Sequence, residues 1–114
     1  DLADGTARLV RPGQESLLGI DGLSATRDGR LIAVRNGFNP HAVFAIDLTD
    51  DGLGIAGTEM LLRGHADFGE PTLLDVQDDR IFLVANAPWA LWPNEGGGPT
   101  EAVPPLVVLE YDLD

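Results

Sequence analysis

Cysteine is absent from the 114 residues of this chain, which excludes a disulfide framework or a thiolate metal or redox site within it and leaves the redox compartment open. Basic residues are few, 7 against 19 acidic ones, for a formal charge of −12. A phosphate backbone would be repelled at long range, so nucleic acid is not expected as a partner. No apolar run approaches the length of a membrane span and no signal-peptide pattern stands at the start, so a membrane is not expected either and no compartment is assigned. The chain starts at Asp1 without Met, as a processed or excised fragment would. No serine has a Gly-x-Ser-x-Gly setting, Ser16 and Ser24 included, so a hydrolase of this sequence would have to be metal-driven. Gly96-Gly97-Gly98 lacks the Lys-Ser/Thr of a phosphate loop, which leaves nucleotide binding unsupported.

What is present is a hydrophobic fraction of 44%, with 14 Gly and 8 Pro spread along the whole chain. Such a chain folds, around one core at this length, and the regular punctuation suits short strands better than helices. The expected class is all-β. Placing GIDGLSATRDGRLIAVRNG, from Gly19, over GEPTLLDVQDDRIFLVANA, from Gly69, reveals an ungapped internal repeat with an offset of 50. Leu23 meets Leu73, Asp28 meets Asp78, Arg30 meets Arg80, Val34 meets Val84 and Asn36 meets Asn86.

A period of about 50 residues is typical of propeller blades, each a four-stranded antiparallel sheet. In each copy a turn, Arg27-Asp28-Gly29 or Gln77-Asp78-Asp79, joins two apolar runs into a hairpin. A third strand follows at Ala42 to Leu48 and Leu106 to Leu113, and a fourth, at Gly54 to Leu62, completes the first copy. The outermost strand is expected to be the weakest, as at an edge. Residues 19–63 thus read as a complete blade, 69–114 as three strands of a second, and 1–12, with a strand at Thr6 to Val10, as the outer strand of a neighbouring blade. Together they predict about two β-propeller blades of an incomplete ring. The remaining blades are expected from a longer parent chain or from symmetric copies that lend a first strand to a neighbour's last blade.

The stretches IDGLSATRDGRLIAVRNG and EPTLLDVQDDRIFLVANAPW resemble the gluconolactonase and senescence-marker-protein (regucalcin) group of six-bladed propellers, over roughly Asp21 to Asp114. In that group an Asp-Gly-Leu or Asp-Gly-Met opening an innermost strand gives a carboxylate to a divalent metal in the central channel. The resemblance implies that role for Asp21, with Ca²⁺ or another divalent cation as cofactor and lactone or ester hydrolysis as activity. Pro71-Thr72 is similar to the group's Pro-Thr blade opening. The group's other ligands, a Glu and asparagines of earlier blades, have no counterpart here. NHL-type binding propellers share such repeats and remain an alternative.

Hairpin geometry adds its own grouping, because the start of a first strand and the end of a second lie at the same end of a sheet. Asp21 and Glu70 open first strands while Asn36 and Asn86 end second strands, so the four are expected at one mouth, where carboxylate and amide oxygens suit a hard cation. Their plainer role is to organise strand-entry turns. The long connection Ala87 to Pro105 should lie over that mouth, its Trp89 and Trp92 covering a small-molecule ligand, gripping a partner, or packing on a blade face. His41 and His65, without metal-ligand spacing, are expected in surface turns.

Overall fold

A computed structural model describes residues 3–13, 17–93 and 96–113. Its strands are β1 (Ile20–Ala25), β2 (Leu31–Arg35), β3 (Ala42–Leu48), β4 (Ile55–Arg63), β5 (Leu74–Gln77), β6 (Arg80–Val84) and β7 (Val108–Asp112). A single 3-10 turn, Trp89–Leu91, is the only helical element among the described residues. The fold is all-β: one sheet of order β1-β2-β3-β4 and one of order β5-β6-β7, antiparallel throughout and each in chain order. Neither sheet closes on itself.

The two hairpins of the repeat turn differently. Between β1 and β2 the Thr26 N–H donates to the Arg30 carbonyl (2.9 Å), the Gly29 N–H to the Thr26 carbonyl (3.1 Å), and Gly29 takes φ 92°, a three-residue loop that needs a left-handed glycine. Between β5 and β6 only Asp78-Asp79 intervene, with Asp78 at φ 55°. The repeat is ungapped in sequence but shifted by one residue in pairing: Leu23 faces Ala33, whereas Leu74, not Leu73, faces Leu83. Leu74 and Val76 consequently pack between the sheets. A one-residue slip reverses which side chains a strand presents to a given face.

Ile32 and Val34 of β2 with Val43 and Ala45 of β3 are fully buried against Ile81 and Leu83 of β6, with Leu74, Val76, Leu109 and Tyr111 around them. On the other face of the first sheet, Ala33, Phe44 and Ile46 form a second cluster with Leu17, Ile20, Leu31, Leu48 and Ile55. Burial on both faces explains why β2 and β3 read as continuous apolar runs instead of alternating ones. Each large side chain so buried contributes about 1.5–3 kcal/mol. By the repeat, Ile32 and Val34 correspond to Phe82 and Val84, and Leu31 and Ala33 to Ile81 and Leu83. One face of the first sheet therefore meets the opposite face of the second. Among the described residues, this head-to-tail contact leaves no sheet upon the Phe82–Val84 face of the second sheet.

Two expectations need correction. Thr6 to Val10 forms no strand: the segment is exposed, and its neighbour Arg11 makes only an isolated bridge to Gly54, with its N–H on the Leu53 carbonyl at 2.9 Å. A lone strand has no ladder to join, and the preceding Asp1-Leu2 lie outside the described residues. The outermost strand is not the weakest, since β4 runs for nine residues. Arg30 braces it by bonding Asp47 on β3 and Glu59 on β4, both at 2.7 Å.

Gly22 sets the spacing between the sheets, for a methyl group there would overlap the Thr72 carbonyl oxygen. Gly22→Ala is expected to lower stability by about 1–3 kcal/mol in urea unfolding, while Gly57→Ala, whose added methyl meets only the Asp47 carboxylate at 3.8 Å, should stay within about 0.5 kcal/mol. Equal losses would remove the spacing role.

Turn carboxylates supply a pH dependence. The Thr49 hydroxyl, at 2.6 Å, and then the Leu53 N–H, at 3.0 Å, hold the Asp51 carboxyl below its usual range, and the Thr26 hydroxyl does the same for Asp28. A depressed folded pKa gives stability that is present above the unfolded value, about 3.9, and lost as pH falls through the folded value. Thermal unfolding should shift downward on acidification across that window, and Asp51→Asn should flatten part of the shift. An unchanged slope would dismiss the turn as its source.

Candidate functional site

β1 opens with a bulge: Ile20 pairs with Arg35 and Gly22 with Val34, so Asp21 is left over and exposed. Its Oδ2 accepts from the Asn36 amide at 2.8 Å and from the Thr72 hydroxyl at 2.6 Å. Asn36 is itself placed by the hairpin, its N–H donating to the Gly19 carbonyl at 3.0 Å. Thr72 is buried and belongs to the segment entering β5. Asp21 therefore joins the open end of one hairpin to the entrance of the other, and it does so with a single carboxylate oxygen.

Glu70 and Asn86 meet elsewhere. They share a cleft of about 350 Å³ with Asp67, Phe68, Pro88 and Pro104, and the Ala87 N–H donates to the Glu70 carbonyl at 2.9 Å. Both ends of the Asn86 amide are engaged: its Nδ2 donates to the Pro105 carbonyl (2.9 Å) and its Oδ1 accepts from the Val107 N–H (2.8 Å). The two asparagines of the repeat have thus diverged. Asn36 holds a carboxylate, whereas Asn86 clasps the two ends of the long connection.

A calcium ion needs about six to eight oxygens. Asn36 turns its amide nitrogen, not its oxygen, to Asp21, and Asn86 has no oxygen to spare. Among the described residues no three His, Asp or Glu side chains converge on one point. Among the described residues, Asp21, Asn36, Glu70 and Asn86 do not bring that many oxygens to one point.

The connection is more ordered than its glycines imply. Trp89–Leu91 forms the 3-10 turn, closed by the Trp92 N–H on the Trp89 carbonyl (3.0 Å), and the Thr100 N–H returns to the Leu91 carbonyl (2.8 Å). Between this turn and the sheet lies a cleft of about 250 Å³ lined by Val84, Ala87, Pro88, Trp89, Trp92 and Leu106, with Asn86 at its edge. Trp89 and Trp92 remain 62% and 45% exposed, so the rings are not consumed by packing on the sheet. An apolar concave surface with one amide beside it is the usual chemistry of a small-ligand or anchor-residue site.

One pairing escaped the sequence reading. His41, just before β3, and His65, just after β4, line a common cleft of about 470 Å³ with Asn39, Pro40, Gly64 and Phe68. Antiparallel pairing of β3 with β4 brings the start of one beside the end of the other, as the Gly64 N–H on the His41 carbonyl (2.9 Å) records. The signal lay in topology, not spacing. His65 has a local task, its Nδ1 accepting from the Asp67 N–H at 3.3 Å and its ring tilted against Phe68.

No family model, curated protein or solved structure matches the chain. No helix among the described residues is long and apolar enough to cross a membrane.

The Asp21–Thr72 bond across the sheets predicts coupling. In a double-mutant cycle of Asp21→Asn and Thr72→Val, followed by urea unfolding, a coupling of about 1 kcal/mol is expected. Strict additivity would show that the bond does not tie the sheets together.

Proposed function

We propose that this chain contributes two consecutive blades to a β-propeller, and that its tryptophan-lined cleft is where the assembled protein receives an apolar-faced small molecule or an anchoring side chain of a partner. The blade reading is supported by the repeat of about 50 residues and by the contact of unlike faces, which when continued from sheet to sheet leads round a ring. The binding reading is carried by one observation: the connection 87–105, which replaces a short linker in the other repeat, is clasped at its base by Asn86 and presents two exposed indoles over an apolar hollow. A fixed base with an open, aromatic top suits recognition.

Neutral Nile red is a suitable probe of that hollow, being uncharged toward so acidic a chain. Trp89→Ala with Trp92→Ala should weaken its binding about tenfold or more, and deletion of Trp89 to Pro99 should abolish it while the circular dichroism stays β-rich. Undiminished binding in both variants would sink the cleft as the site.

A second reading, gluconolactonase-like hydrolysis, draws support from Asp21, an exposed carboxylate held in place by two donors at a strand entrance. A divalent cation bound there would polarise a lactone carbonyl or activate water. Among the described residues Asp21 is the one placed to ligate it; the remaining donors would come from other blades. Calorimetry of the intact assembly with Ca²⁺, repeated on Asp21→Ala, distinguishes the outcomes: a heat lost in the variant supports a metal role and equal heats remove it.

A further inference from the structure

The hollow under Trp89 and Trp92 has a neighbour of different chemistry. Asn86 and Pro88, which line the hollow, also line the cleft of about 350 Å³ that holds Asp67, Phe68 and Glu70. The two depressions therefore adjoin across the short stretch of chain that follows β6. One is walled by indoles, Val84 and Leu106, while the other carries two carboxylates. Among the described residues no arginine or histidine lines either, in a chain whose formal charge is −12.

Polar selectivity has to come from the acidic side. Asn86 stands between the two depressions, but its Nδ2 is committed to the Pro105 carbonyl and its Oδ1 to the Val107 N–H, so a ligand gains no bond from this amide without opening the clasp. Glu70 is differently placed. The Ala87 N–H on its carbonyl, at 2.9 Å, fixes its main chain beside the divider, and the residue is half-buried. Among the described residues no arginine or histidine pairs with its carboxylate, whereas Asp67 has the His65 Nδ1 at 3.5 Å. A partly desolvated carboxylate without a counter-ion favours a cation supplied from outside.

We propose that the tryptophan hollow and the Glu70 cleft together bind a small organic amine in its ammonium form, with an apolar body between the indoles and the ammonium at Glu70. The hollow, about 250 Å³, is smaller than the roughly 300–1,000 Å³ that drug-sized ligands occupy, which limits the body to a single ring or a short alkyl chain. Indole faces also attract an ammonium through the ring quadrupole, so both ends of the site favour the same sign of charge. An anionic ligand of the same shape meets Asp67 and Glu70 and is rejected. This inference rests on the tryptophan cleft being a binding site and narrows what enters it.

Competition against Nile red on the whole chain tests it, with phenethylammonium, its uncharged counterpart phenethyl alcohol and its anionic counterpart phenylacetate. The ammonium is expected to displace the dye at about tenfold lower concentration than the alcohol, and phenylacetate to displace none in that range. Glu70→Gln keeps the size of the side chain and removes its charge, and should cut the preference for ammonium over alcohol about threefold to fivefold. Asp50→Asn removes the same charge from the turn between β3 and β4, at the far end of the first sheet, and should leave the preference as it is. Circular dichroism monitors the fold of each variant. A parent that does not discriminate between the three compounds, or a preference that both variants reduce alike, would overturn the ammonium ligand while leaving the cleft as a binding site. A parent that binds no Nile red would remove the cleft and the amine with it.

Discussion

The contact between unlike faces of the two sheets is the constraint on which everything else hangs. Ile32, Val34, Val43 and Ala45 have no water on them only because Ile81 and Leu83 are there. Without the second sheet, the first would expose one full side of its two central strands. The second, with three short strands, would have too little core to persist. Gly22 permits the approach and the Asp21–Thr72 hydrogen bond fixes its lateral position. The candidate site is built from the same joint, because the residues that hold the hairpin ends together also hold the sheets together.

Much of this arrangement is legible in the amino-acid order. The run AVFAIDL predicts β3 at Ala42–Leu48, where the structure has it, because a short, mostly apolar run carrying Val, Phe and Ile lies between a Pro-His turn and an Asp-Asp-Gly turn. The match of Leu23 with Leu73 predicts two similar units, and the structure places them in separate sheets with the same antiparallel order. The pairing register is not legible. TRDGR and VQDDR align without a gap, yet a left-handed glycine makes one a three-residue loop and a left-handed aspartate makes the other a two-residue loop. Dihedral preference at a single position decides that, and sequence alignment is blind to it. Segment Thr6 to Val10 has strand chemistry but joins neither described sheet, so its pattern alone misleads.

The site follows the same logic. Asp21, Asn36, Glu70 and Asn86 can be singled out from hairpin geometry, but which oxygens remain free depends on hydrogen bonds donated by Thr72 and Val107 and on the Pro105 carbonyl that accepts from the Asn86 amide nitrogen. These come from other segments, and their distance along the chain hides them. Repetition in sequence proves a poor guide to repetition in role: Asn36 and Asn86 occupy equivalent positions and bond to different kinds of group. The first serves the junction of the sheets, the second the base of a loop that only one repeat possesses.

The clasp made by Asn86 also bears on the order in which the molecule folds. β1 to β4 are linked by short turns and can zip together hairpin by hairpin, on a timescale of about microseconds per hairpin. β7 must instead find β6 across a connection longer than any within the first sheet, at an entropic cost that rises with loop length by about 0.6 kcal/mol per doubling. By bonding both the carbonyl of Pro105 and the N–H of Val107, Asn86 catches the returning chain immediately beside the place where pairing with β6 resumes. A local latch of this kind lets the last strand dock late without drifting out of register.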